Sequence, residues 1–124
     1  MHTFAVDVEF WLDRGKTVVE ICGPLDFYSA PRVREAFEEA CASCPVRLAV
    51  VVSQVSFLDS SGIGVLIGAA KRARGRGGRT AVVGCSRQIA RTLQTMGLEG
   101  TLNPFSSLDE AFAWLDDRRI GTLR

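Results

Sequence analysis

Leu48-Ala49-Val50-Val51-Val52 is an unbroken apolar run between two stretches of helical spacing. It is far too short to cross a bilayer, and no alternation within it reserves a face for water. It therefore predicts a strand covered on both faces, the central element of a mainly parallel sheet with helices packed against it. Upstream, Phe4, Val6, Val8 and Phe10 alternate with Ala5, Asp7 and Glu9, which predicts a half-buried strand. Asp13-Arg14-Gly15 reads as a turn and Lys16 to Cys22 as a second strand; so short a connection makes the pair antiparallel. Gly23-Pro24-Leu25-Asp26 breaks the pattern. Ser29-Ala30-Pro31 then opens a helix, with a capping hydroxyl, a proline in the first turn and a stripe of Val33, Ala36, Phe37 and Ala40. Cys44-Pro45 ends it.

Downstream of the central run, Asp59-Ser60-Ser61-Gly62 separates apolar Phe57-Leu58 from a helix expected over about Gly62 to Arg74, with Ser60 as its capping hydroxyl. Gly62, Gly64 and Gly68 each cost that helix roughly 1 kcal/mol against alanine, and the expected return is close approach of helix to sheet. Thr80 to Gly84 is a further strand. Ser86 caps a third helix with Ile89, Leu93 and Met96 on one side, and Gly97 ends it. Thr101 to Phe105 reads as a short fifth strand. Ser107-Leu108-Asp109-Glu110 has capping-box spacing before a stripe of Leu108, Ala111, Phe112 and Leu115, and Asp116 to Arg119 reads as a frayed end. The expected class is α/β: one domain over 1–124 with its ordered core over about 4–117, a mixed, mainly parallel sheet of four to five strands, an opening antiparallel hairpin and about four helices.

Composition removes several function classes. The 124 residues suit one domain, 47% of them are hydrophobic, and the net charge of +1 gives no drive toward nucleic acid. No apolar stretch reaches the roughly 20 residues of a membrane-spanning helix, and Met1 to Asp7 has no basic leader, so the expected location is the cytoplasm, without membrane insertion. Gly62-Ile63-Gly64 would need a third glycine at Ile67 to match a dinucleotide fingerprint, and the helix it opens has no glycine-lysine-serine or glycine-lysine-threonine ending of a phosphate loop. Ser60 and Ser61 lack the elbow of a hydrolase nucleophile, and His2 is the only imidazole. Asp26 and Asp59 form a possible carboxylate pair without an evident cleft. No enzyme, cofactor or metal is expected. Cys41 and Cys44 have redox or metal-pair spacing, yet they close a helix rather than open one, so they read as small apolar residues. The run Lys71, Arg72, Arg74, Arg76 and Arg79 reads as a solvated helix end complementing the helix dipole.

Two segments carry a resemblance. Val55 to Leu66, with Asp59-Ser60-Ser61-Gly62 at its centre, resembles the signature of anti-sigma factor antagonists, the small bacterial STAS-domain proteins. Gly23-Pro24-Leu25-Asp26, followed by Ala30 to Ala36, resembles that family's first strand-to-helix segment, and the element order matches over almost the whole chain. The resemblance implies partner switching. An anti-sigma factor that is also a serine kinase phosphorylates the serine directly before the glycine, here Ser61. The unmodified antagonist binds that factor and frees a sigma factor, and phosphorylation blocks the binding. Asp26 and Asp59 match acidic positions near the phosphoacceptor, and Ser60 and Gly62 complete the partner-facing loop. A serine phosphatase would reverse the modification. Two departures stand out: Pro24 and Val51 occupy positions that are often acidic in the family. The alternative within the same fold is an interaction subunit of a signalling scaffold or transporter complex that never cycles through phosphorylation.

Overall fold

The computed structural model describes residues 5–42 and 46–117. Strand β1 (Asp7–Asp13) turns back into β2 (Lys16–Leu25) through a two-residue loop, Arg14-Gly15. Both loop residues have positive φ, 51° and 79°, the handedness that matches the right-handed twist of a hairpin. Helix α1 (Ala30–Ala40) leads to β3 (Arg47–Leu58), and α2 (Ser60–Gly75) to β4 (Arg79–Val83). Then come α3 (Arg87–Thr95), the single turn α4 (Glu99–Leu102), β5 (Pro104–Phe105) and α5 (Leu108–Leu115). The sheet order is β1-β2-β3-β4-β5, with β1 antiparallel to β2 and every other pair parallel.

Side chains alternate between two cores. Val19, Ile21, Leu48, Val50, Val52 and Val82 face Val33 and Phe37 of α1, Val65, Leu66 and Ala69 of α2, and Ile89 and Leu93 of α3. Val18, Ala49, Ala81 and Val83 face Ala111, Phe112 and Leu115 of α5 on the other side. The run 48–52 thus has both faces covered, as its lack of alternation requires. Among the described residues no helix is long and apolar enough to cross a membrane.

The elements differ from the sequence reading where pairing, not pattern, sets their length. Strand β1 reaches Asp13, but as an edge strand it outruns its cover, leaving Phe10 and Leu12 exposed; Phe4 lies outside the described residues, as do Cys44 and Pro45. Strand β2 runs through Gly23-Pro24-Leu25, because register shifts after Glu20 and after Gly23 absorb the irregularity. Strand β3 continues to Leu58. Its ladder to β4 ends at Val51, and beyond it β3 accompanies β2 alone, Gln54 opposite Cys22 through Leu58 opposite Leu25. Thr101 falls in α4, so β5 shrinks to an edge pair where Pro104 is tolerated. Met96 is exposed at the end of α3.

The C-terminal end is anchored rather than frayed as far as it is described. Lys16, almost wholly buried, donates to Asp116 at 2.8 Å and sits 4.7 Å from the Phe112 ring centroid. That hydrogen bond, helped by the nearby ammonium charge, holds the Asp116 carboxyl below its ordinary range. Arg79 stacks on Trp114 and donates to the carbonyls of Leu115 and Asp117. The basic run is thereby divided. Arg72 pairs with Glu38 at 3.8 Å, Arg76 donates to the Ala42 carbonyl, and Lys71 and Arg74 stay exposed.

Candidate functional site

Two loops meet at the carboxyl end of the β2–β3 ribbon, because Pro24 lies opposite Phe57 and Leu25 opposite Leu58. The first, Asp26 to Ser29, enters α1. Asp26 Oδ1 accepts from the backbone N–H groups of Tyr28 and Ser29, each at 3.0 Å, which folds the loop into a tight turn. Ser29 does not cap α1 with its side chain. Its hydroxyl donates to the Pro24 carbonyl at 2.7 Å and accepts from Asp26 N–H at 2.9 Å, so it braces the loop instead.

The second loop enters α2, and here Asp59 is the cap, not Ser60. Asp59 is extended, and its Oδ1 accepts from Gly62 N–H at 3.0 Å. A carboxylate at this position satisfies an orphan N–H and complements the positive helix end. Its other oxygen, Oδ2, accepts from Phe27 N–H at 3.1 Å and so ties the second loop to the first. Gly62 closes the junction. A Cβ there would lie 2.2 Å from the Leu25 carbonyl oxygen and 2.8 Å from Leu58 Cδ1. Gly64 and Gly68 are different: nothing lies within 4 Å of a Cβ at either, and both are exposed. Only the first of the three glycines serves close approach of helix to strand.

With Asp59 as cap, the two serines occupy the first turn with free hydroxyls. Ser60 is exposed and Ser61 half-buried, and among the described residues neither hydroxyl has a hydrogen-bond partner. Ser61 opens on a groove of about 570 Å³ between α1 and α2, with Gly64 on its own side and Tyr28, Pro31 and Arg34 opposite. Asp26 lines a neighbouring groove with Asp7 and Arg32 instead, and Tyr28 borders both. The structure therefore brings Asp59, Ser60, Ser61 and Gly62 together, and holds Asp26 on the far side of Tyr28.

Sequence reasoning missed the aromatic rim. Phe27 is 67% exposed, Tyr28 87% and Phe57 55%, and the rings of Phe27 and Tyr28 meet edge to face at 5.4 Å. Large apolar side chains held in water beside one another have the character of a protein-docking surface. The available signal was two aromatics in a strand-to-helix loop, where no buried stripe needs them.

The three described thiols have no comparable setting. Cys41 is fully buried and burial pushes its thiol up, away from the reactive thiolate; Cys22 and Cys85 are shifted the same way, first by desolvation. Among the described residues no cluster of His, Cys, Asp or Glu has the makings of a metal site, and His2 lies outside them.

The profile of the STAS domain matches residues 10–111. The chain belongs to the STAS-domain family. One relative, the anti-sigma-F factor antagonist RsfB of Mycobacterium tuberculosis, is 31% identical over 106 residues, covering 86% of this chain and 86% of its own. An anti-sigma factor antagonist from Mycobacterium paratuberculosis superposes with a TM-score of 0.84 at 24% identity, covering 94% of this chain and 98% of that one. The phosphorylated form of the Bacillus cell fate determinant SpoIIAA superposes with a TM-score of 0.67 at 24% identity, covering 89% and 98%. These relatives are regulatory binding proteins rather than enzymes, and the fold is theirs throughout: a five-stranded mixed sheet with one antiparallel pair.

Proposed function

We propose that this STAS domain is a phosphorylation-gated anti-sigma factor antagonist with Ser61 as its phosphoacceptor. In its unmodified form it binds an anti-sigma factor that is also a serine kinase, and a sigma factor is released. The observation that carries this reading is the unpartnered Ser61 hydroxyl, opening on a groove beside a rim of exposed aromatics. The name of the relative RsfB and the phosphorylated state of SpoIIAA support it.

The chemistry needs little from this chain. The kinase moves the γ-phosphoryl group of ATP to Ser61 Oγ; the hydroxyl proton and ADP leave. Asp59 fixes the first turn of α2, so the hydroxyl is presented at one position. The new group brings about −1.5 to −2 charge. It stands two residues from Asp59, within the first turn of α2, and a partner surface shaped for a neutral hydroxyl must now desolvate a dianion. A loss of about 3 kcal/mol exceeds a hundredfold in affinity, so the switch requires no rearrangement of the sheet. A serine phosphatase restores the binding form.

The test uses the partner kinase with ATP, mapping the modified residue by mass spectrometry and measuring affinity before and after. Modification of Ser61 with a hundredfold loss of binding is expected, and Ser61→Ala should bind constitutively. A chain that binds its partner tightly yet is never modified, or is modified elsewhere, overturns the proposal and leaves a non-cycling interaction subunit.

A further inference from the structure

Among the described residues, Ser61 shares its groove with one basic side chain. Arg34 projects from α1, while Ser61 and Gly64 line the α2 side. Arg34 is exposed and has no hydrogen bond or ion pair with any described residue. Its natural helical partner one turn on, Glu38, points instead to Arg72 of α2 at 3.8 Å. Gly64 offers no side chain to fill the space between, and nothing lies within 4 Å of where its Cβ would stand. The guanidinium is thus uncommitted, on a long stem, over an unobstructed floor.

We infer that Arg34 is the intramolecular counter-ion of the phosphate on Ser61. The inference rests on the reading of Ser61 as phosphoacceptor and adds what happens to the group once attached. A guanidinium presents a planar fork of donors that matches phosphate oxygens two at a time, and it stays charged at any working pH. The other charges at this end are already committed or turned away. Asp59 and Asp26 accept from backbone N–H groups, and Arg32 lines the neighbouring groove. The bridge from Ser61 to Arg34 spans the groove from α2 to α1. It therefore closes the space beside Tyr28 and Pro31 that a partner side chain would enter, and it ties up the Arg34 guanidinium. Phosphorylation acts twice, by adding charge and by filling the groove from within.

The experiment installs phosphoserine at position 61 during translation, so that no kinase is needed, and follows the phosphate's second ionisation by phosphorus NMR. The pairing stabilises the dianion, so Arg34→Gln should raise that pKa by about half a unit, the scale of a partly exposed ion pair. Arg32→Gln, the same change one groove away, should move it much less. Equal shifts in both variants, no shift in Arg34→Gln, or a shift downward would overturn the inference. Because the phosphate is placed by synthesis, the result stands apart from whether a kinase chooses Ser61; failure of the mapping experiment above would not mimic failure here.

Discussion

Replacing Gly62 by alanine tests the junction on which the loop depends. The new Cβ would stand 2.2 Å from the Leu25 carbonyl oxygen, roughly 1 Å inside any tolerable contact, and 2.9 Å from Leu25 Cγ. The clashing atom is backbone, and the same carbonyl accepts from Asp59 N–H, so relief requires lifting the first turn of α2 off β2. Overpacking of this kind costs about 3 kcal/mol, the upper end of its usual range. Alanine returns about 1 kcal/mol of helix propensity. The net loss is about 2 kcal/mol, or about 8 °C in Tm for a domain of this size. Gly64→Ala and Gly68→Ala make the same chemical change on the same helix, but each Cβ meets open space. Each should gain about 0.5–1 kcal/mol and melt a few degrees higher. Thermal melts and urea titrations of the three variants, checked for coincident transitions, read this directly. Movement of Tm in the same direction in all three would mean that Gly62 is not singled out by packing.

Asp59→Ala removes both the α2 cap and the bond to Phe27 N–H. It should cost about 1–2 kcal/mol and speed hydrogen exchange at the Gly62 and Phe27 amides together; protection unchanged at Phe27 would argue against the cross-loop tie. Asp116 is held below the ordinary carboxylate range by Lys16, so its contribution is complete above that range and is lost as pH falls through the lowered folded value. Asp116→Asn should therefore be less stable than the parent at neutral pH, with the gap closing toward pH 2 in urea titrations; a gap that widens in acid has the wrong sign. Tyr28→Ala and Phe57→Ala delete exposed rings, so stability should stay within about 0.5 kcal/mol. Partner affinity by calorimetry should fall at least tenfold, as for aromatic anchors at an interface; unchanged affinity in both would remove the aromatic rim from the docking surface.

The cap positions show how far local chemistry reads through. Ser86 and Ser107 cap α3 and α5 as their spacing indicates, accepting from Ile89 N–H at 3.1 Å and Glu110 N–H at 3.2 Å. Ser29 and Ser60 have the same local credentials and do neither. At Ser29 the Pro24 carbonyl is the better partner, and before Ser60 the Asp59 carboxylate reaches Gly62 first. Asp59 is favoured further because one of its oxygens also serves Phe27, a residue 32 positions away that only the β2–β3 pairing brings near.

The chain's own order of residues determined the apolar run 48–52, the helical stripes, the hairpin turn and the string around Ser61, because burial periodicity and turn stereochemistry act over a few neighbouring residues. Tertiary structure alone decided that β3 extends to Leu58, that Gly62 rather than Gly64 carries the close contact, and that Asp26 stands behind Tyr28 while Arg34 looks across at Ser61. Those outcomes depend on which strand lies beside which, and ladder pairing between distant segments leaves no periodic trace in the segments it joins.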